Sequence, residues 1–419
     1  MEMKQLVNKL ITFVNPKNKL HLVLELLSYV FFALTIFSVP SCNFKEGLQF
    51  VTWICAGLFI LDISLLSFFF YKVKIDLVNS SLALFCLSAV LSTALNNAYS
   101  SFAFTPIFLA VFTAIVYTYC VSNSKSRVPL LATVLVGLTG FLALYLVRYT
   151  PELIKSKFSR LGTSFGDIND IALFFALGAI LGLWFLLKSR KIYLKIVLGI
   201  LTAIFVMCGF LTASKIFLLE IVVIGILAAF MFTKKDKWWL VLVIIGGIVV
   251  LTTIFLFTPF GELLRNRIAN MIKTFFNPDI YNGSYDVSTL VRFNMFEDGM
   301  TMFFRKPLFG YGVQGFFRAS TYAGMWSHNN ISETLCSFGL VGTILFHFGL
   351  AYSFIECLKK ENKNSDDNGF LMLFVFYLIS MLTVAFNSEK IYAFIIGICI
   401  ANYSNLNPIF TIRINKKEK

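Results

Sequence analysis

The sequence predicts an all-α fold: a polytopic membrane helical bundle with about twelve transmembrane helices and a large extracytoplasmic loop. Three observations carry that expectation. Of 419 residues, 58% are hydrophobic and only 14% charged, against about 25% charged in a soluble domain. The mean hydropathy is +0.79. The apolar residues fall into runs close to the ~20 needed to cross a bilayer. A soluble fold of this size would need a polar surface that the chain does not supply, so residues 1–419 are read as a single integral membrane domain.

The runs occupy 20–39, 48–70, 78–95, 102–122, 128–147, 168–187, 192–211, 214–232, 238–258, 331–355, 370–386 and 391–405. The start, up to residue 20, reads as a basic amphipathic stretch rather than a cleavable leader. Putting the N-terminus inside and alternating sides sends every short basic cluster to the cytoplasmic face. These clusters are Lys72 and Lys74; Lys125 and Arg127; Lys188, Arg190 and Lys191; Lys234, Lys235 and Lys237; Lys359, Lys360 and Lys363; and the C-terminal tail. That is the positive-inside pattern, and a wrong span count would break it. Both termini are therefore expected in the cytoplasm. Two external loops are large, 148–167 and 259–330, and loops of that length usually carry function. Within the second, 289–304 reads as a helix lying along the membrane interface. It is followed by Pro307 and a turn rich in glycine.

Several function classes drop out. The net charge of +14 sits in topological clusters and not on a basic stripe with interleaved aromatics, so nucleic acid is excluded as a partner. The eight cysteines show no C-x-x-C pair and no metal-ligand spacing. The run Gly310-Tyr-Gly-Val-Gln-Gly315 matches a dinucleotide fingerprint but lacks the flanking βαβ unit; it reads as a turn returning the loop to the membrane. There is no Walker motif and no metal-binding pattern. Asp62 and Glu220 lie inside apparent spans, where a carboxylate is either functional or a polar contact between helices.

The anomaly lies on the outer face. Arg148, Lys155, Lys157 and Arg160 fall in the first external loop, Lys215 in the turn between spans seven and eight, and Arg265, Arg267 and Arg292 in the large loop. The positive-inside rule disfavours cations there, and something anionic bound to them would account for the excess. A lipid-linked diphosphate fits: Arg grips phosphate bidentately and Lys acts as a point charge. In glycosyl transfer, breaking the anomeric C–O bond puts more charge on that diphosphate, which fixed cations stabilise. A base for the acceptor hydroxyl is also needed, and a histidine with a pKa near ~6.5 suits it. Of the three histidines, His21 falls near the cytoplasmic side, His347 within a span, and only His328 at the outer face.

The stretch from Arg292, RFNMFEDGMTMFFRKPLFGYGVQGFF, through SHNNISETLCSFGLVG resembles the signature of the O-antigen ligase and polymerase superfamily. That signature is an Arg-led helix, a P-L-x-G-x-G turn, then His-Asn, a Glu and G-L-x-G. RLGTSFGDIND is similar to the family's Arg–Gly–Phe–Gly–Asn segment and LTASKIF to its L-T-x-S-R turn. The motifs cover about 160–345, in order and all external. The resemblance implies a metal-independent, inverting glycosyltransferase of the bacterial cytoplasmic (inner) membrane, without a cofactor, acting on undecaprenyl-diphosphate-linked oligosaccharides. It implies a catalytic His328, with Arg292, Lys215 and Arg160 as diphosphate-binding cations. Asn169, Asn329 and Glu333 match motif positions and are expected to cap helices or support the site. Lys215 departs from the family's Arg, keeping the charge but losing the bidentate geometry.

The function expected is polymerisation of lipid-linked repeat units into a surface polysaccharide, an O-antigen or capsule. Transfer to another acceptor, as in a ligase, remains open within the superfamily. Outside it the alternative is a glycolipid flippase or other transporter. Membrane lipid, a flippase and chain-length regulators are the candidate partners.

Overall fold

A computed structural model describes residues 19–41, 48–98, 104–155, 168–233, 261–276, 287–361, 363–383 and 390–412, with a few more between 246 and 258. The chain is helical almost throughout. Eight helices come first: α1 (Lys19–Ser41), α2 (Leu48–Phe70), α3 (Leu77–Leu95), α4 (Thr105–Ser122), α5 (Arg127–Lys155), α6 (Ile168–Lys188), α7 (Ile192–Leu211) and α8 (Lys215–Phe232). Six follow: α9 (Glu262–Phe276), α10 (Val287–Arg305), the short α11 (Gly315–Ala319), α12 (Asn330–Lys359), α13 (Ser365–Ser380) and α14 (Lys390–Tyr403). Two three-residue strands, β1 (Val73–Ile75) and β2 (Phe410–Ile412), pair antiparallel, Val73 opposite Ile412.

Among the described residues nine helices are long and apolar enough to cross a membrane, and Ile391–Tyr403 is a shorter apolar one. The protein is a multi-pass membrane protein. Its polarity is the reverse of a soluble fold. Leu87, Val136, Ile192 and Phe230 on the outside are each more than 60% exposed, while Glu25, Asp62, Ser28, Thr35 and Glu220 are buried. Lipid, not water, fits that exterior. The core is an aromatic seam in which Phe32 stacks on Phe59 and both meet Phe394 edge-on.

The two ends of the bundle sort as the alternation requires. At one end the Glu25 carboxylate accepts from Tyr71 Oη at 2.7 Å and Asn123 Nδ2 at 3.0 Å. Lys188 pairs with Asp366, Lys360 Nζ with Asp367 at 2.8 Å, and Asn368 Nδ2 donates to the Met231 carbonyl at 3.1 Å. The basic clusters among the described residues thus gather at this end, together with β1 and β2. The opposite end holds the starts of α6, α8 and α12. The chain leaves α8 at the basic end, and Arg267 reappears at the opposite end, where it donates to the Ala213 carbonyl at 2.6 Å. The expected span 238–258 lies almost wholly outside the described residues.

Two expectations are corrected in detail, and one more is given its bounds. The helix of span five runs past residue 147 to Lys155, taking the first part of the expected loop 148–167. The helix expected at 289–304 covers Val287–Arg305 and packs on the start of α12. Most consequentially, the apolar run 331–355 is not one straight span. Gly339 breaks α12 with φ 66° and ψ −167°, a region essentially reserved for glycine. Asn330 Nδ2 lies 2.9 Å from His347 Nε2 although the residues are 17 apart. A straight helix would separate them by about 25 Å. The short arm 330–338 therefore folds back along the long arm 340–359, which alone crosses.

The apex of that hairpin is knotted to the glycine-rich turn. Tyr311 N donates to the Cys336 carbonyl at 2.9 Å, Gly312 N to Ser337 at 2.8 Å, and Leu340 N to Pro307 at 2.7 Å. α3 closes it from below: Ser92 Oγ donates to the Phe309 carbonyl, Asn96 Nδ2 to Gly310 at 3.0 Å, and Val313 N to Thr93 Oγ1 at 3.1 Å. Gly310 (φ 65°) presses backbone on backbone, so a Cβ there would sit 2.5 Å from the Cys336 carbonyl. The G-x-G-x-x-G run is thus a packing turn. A Gly339→Ala change would set a Cβ against the Leu308 carbonyl as well as straining the backbone. The strain alone costs ~1–3 kcal/mol. The expected result is a thermal unfolding midpoint well below wild type in detergent; an unchanged midpoint would refute the hairpin.

Candidate active site

The candidate site is built where six chain segments meet at the end opposite the basic clusters. The first is the tight turn 212–214 between α7 and α8, with Ala213 at φ 51°. Arg267 of α9 holds its carbonyl, and Ser214 Oγ donates to Asn169 Oδ1 at 3.2 Å, tying the turn to the start of α6. Lys215 follows directly as the first residue of α8, half-buried. Its Nζ donates to Thr289 Oγ1 at 2.8 Å. Thr289 and Arg292 stand three apart on α10, hence on one face, so Lys215 and Arg292 are brought to the same stretch of that helix.

α10 carries this pair to His328. Cys336 Sγ lies 3.6 Å from Met302 Sδ, and one turn earlier Gly299 faces Ser332. Two successive pairings in the same direction mean that α10 runs parallel to the short arm of α12. Continuing one turn back sets Met295, fully buried, beside the 328–329 turn, and Arg292 a further turn out. Met295, Met302, Phe316 and Cys336 form a small apolar core of their own beneath this junction.

His328 stands half-buried at the head of the short arm, with a left-handed backbone (φ 51°). Histidine tolerates that region better than most side chains, yet it remains an uncommon conformation. Neighbours hold it there. Asn329 caps the arm: its Oδ1 accepts from Ile331 N and Ser332 N, both at 3.0 Å. Ser327 Oγ donates to the Asn329 carbonyl at 2.9 Å. The buried Glu333 carboxylate accepts from Ser327 N and from Ser337 Oγ, each at 3.2 Å. A buried carboxylate without donors would be costly, so Glu333 and the turn carrying His328 specify one another.

Beneath His328, Asn330 N donates to the Met381 carbonyl at 2.9 Å. His347 Nδ1 lies 2.9 Å from the Thr343 carbonyl, which can only accept, so Nδ1 carries the proton and Nε2 accepts from Asn330 Nδ2. The end of α13 is tied to α8 through Ser380 Oγ, which donates to Glu220 Oε1 at 2.7 Å. Glu220 thus makes a contact between helices, one turn and a residue below Lys215.

Lys215 meets the face of α10 that carries Arg292, and His328 heads the arm of α12 that packs along α10, with Asn169, Asn329 and Glu333 fixing the segments that carry them. Arg160 lies outside the described residues. Thr289, Ser327 and Ser337 were not singled out from the sequence, because single hydroxyls carry no pattern. The Asn330–His347 clamp follows from the Gly339 break, whose trace was the G-L-x-G motif itself.

Residues 200–347 match the family model described as O-antigen ligase. That match, over part of the chain, supports a relation to the O-antigen ligase and polymerase superfamily. The matched stretch holds Lys215, Arg292 and His328 and closes at His347, so it contains the whole junction except the starts of α6 and the end of α13. No match was found among curated proteins. The O-antigen ligase domain supports a ligase- or polymerase-type function and a glycosyltransferase-like enzyme.

Proposed function

We propose that this protein polymerises lipid-diphosphate-linked oligosaccharide repeat units on the extracytoplasmic face of the bacterial cytoplasmic membrane. The observation that carries the reading is the Lys215–Thr289 hydrogen bond, which brings a lysine and Arg292 to one stretch of α10, the helix that packs along the arm headed by His328. Two cations and a histidine are the set that the chemistry needs. The undecaprenyl diphosphate of the growing glycan lies against Lys215 and Arg292. The acceptor is a second lipid-linked repeat unit. Its sugar hydroxyl attacks the donor's anomeric carbon from the face opposite the diphosphate, inverting that centre. The anomeric C–O bond breaks and the diphosphate departs with the electron pair, its new charge met by the two cations. His328 accepts the hydroxyl proton. No step calls for a metal.

The family's description, O-antigen ligase, favours a second reading, transfer to a different acceptor. One assay separates them. Purified protein in liposomes with EDTA and a lipid-diphosphate-linked repeat unit should give a ladder of longer lipid-linked glycans. Consumption of the donor only when a different acceptor is added would establish the ligase reading. Dependence on a divalent metal would refute the mechanism.

A further inference from the structure

The short arm of α12 carries His328 at its head, and the hydrogen bonds around that head are of two kinds. Those from Ile331 N and Ser332 N to Asn329, and from Ser327 N and Ser337 Oγ to Glu333, lie within the arm and its turn. They shape the head without locating it in the bundle. Two others, both at Asn330, tie it to the helices behind. Asn330 N donates to the Met381 carbonyl at 2.9 Å, and Asn330 Nδ2 lies 2.9 Å from His347 Nε2 on the long arm. Asn330 is fully buried, and its Oδ1 has no hydrogen-bond partner among the described residues. The amide therefore holds its surroundings through Nδ2. An enclosed cavity of about 20 Å³ beside the pair is walled by Val78, Leu82, Leu109, Leu350 and Ile396. Its remaining polar side chain, Thr113, already donates to the Leu109 and Ala393 carbonyls at 2.8 and 3.0 Å. Deprived of His347, the Asn330 amide would face apolar walls, where an unpaired donor is costly.

An imidazole within a span is expensive and persists where it has a task. Here the ring is fixed from its own helix: Nδ1 donates to the Thr343 carbonyl at 2.9 Å, which leaves Nε2 as the acceptor. We propose that His347 is a positioning residue for the transfer reaction: its Nε2 holds Asn330, and through Asn330 it sets where the His328 imidazole stands; the inference rests on the function proposed above. The apex of the hairpin is fixed separately by the bonds of Tyr311 N and Gly312 N to the Cys336 and Ser337 carbonyls. Loss of His347 therefore frees the head of the arm and leaves the apex in place. The consequence falls on the chemical step, because a misplacement of about 1 Å can cost ~10²-fold in rate. Lys215 and Arg292 stand on α8 and α10, so the hold on the donor should change little.

The test uses full-length protein in liposomes with a lipid-diphosphate-linked repeat unit, and three substitutions. The amide of glutamine reaches the place of Nε2, that of asparagine only the place of Nδ1, and leucine supplies neither. His347→Asn and His347→Leu should lower kcat by about 10–10²-fold with the donor KM changed less than threefold, and His347→Gln should restore kcat to within threefold of wild type. The chain holds three histidines, so labelling histidine with nitrogen-15 gives one set of imidazole resonances for each. In wild type the His347 proton should sit on Nδ1. In His347→Asn the His328 resonances should move while those of His21, bonded to Tyr71 at the basic end, stay. In His347→Gln both should stand where they do in wild type. Wild-type kcat in His347→Leu, a kcat no higher in His347→Gln than in His347→Leu, or His328 resonances that stay while kcat falls would overturn the proposal. A donor KM raised with the fall in kcat, or displaced His21 resonances, would make His347 a residue of the general fold and overturn it too. Absence of transfer by wild type, or turnover retained in His328→Gly, would instead overturn the function proposed above, and the resonances would still report whether His347 sets His328.

Discussion

His328→Ala is expected to lower glycan transfer by about 10²–10⁴-fold, the usual contribution of a general base. The prediction needs a control, because residue 328 is left-handed and the turn is held on both sides by Ser327, Asn329 and Glu333. Alanine tolerates that backbone less well than histidine. His328→Gly removes the strain and should be at least as stable as wild type, and His328→Asn keeps a polar side chain suited to the conformation. All three should lose transfer while unfolding at a temperature near that of wild type. Donor binding, read by displacement of a labelled lipid diphosphate, should change less than threefold. Retained turnover in the well-folded His328→Gly protein would remove His328 from the chemistry.

The second large effect concerns the cations. Lys215→Ala is expected to reduce turnover by about 10²–10³-fold, the range seen when one donor to a developing oxyanion is removed. Since charge grows on the diphosphate as the bond breaks, kcat should fall more than KM rises. Lys215→Arg should keep most of the activity: it places the residue usual in the resembled family and grips phosphate bidentately. Arg292→Ala should resemble Lys215→Ala, and the double variant should lose less than the product of the single losses, because the two act on one leaving group. A Lys215→Ala protein with unchanged kcat would place the leaving group elsewhere.

The bundle was legible because lipid imposes simple rules. Run length gave the spans, and lysine and arginine gave their alternation, which the grouping of helix ends reproduces through contacts such as Lys360–Asp367 at one end and Lys215–Thr289 at the other. The elements of the site were legible as ordered motifs. Their assembly was not, since Lys215 meets Thr289 across 74 residues that hydropathy cannot pair. The hairpin in α12 was hidden for a related reason. CSFGLVGTILFHF holds no Asp, Glu, Lys or Arg, and a hydropathy profile does not register that Gly339 reverses the chain. Arg160 shares the motif logic of the other cations but falls outside the described residues.

The knot at the apex also sets a schedule for biogenesis. Thr93 and Val313 are 220 residues apart. At the ~5–20 residues per second of protein synthesis, α3 waits roughly 10–45 s after leaving the ribosome before its partners exist. During that interval Ser92, Thr93 and Asn96 form an unfinished polar rim, and the emerging Pro307–Gly312 turn completes it. The candidate site is therefore among the last parts of the molecule to form, so a chain cut short before Gly339 would hold most of the spanning helices without completing it.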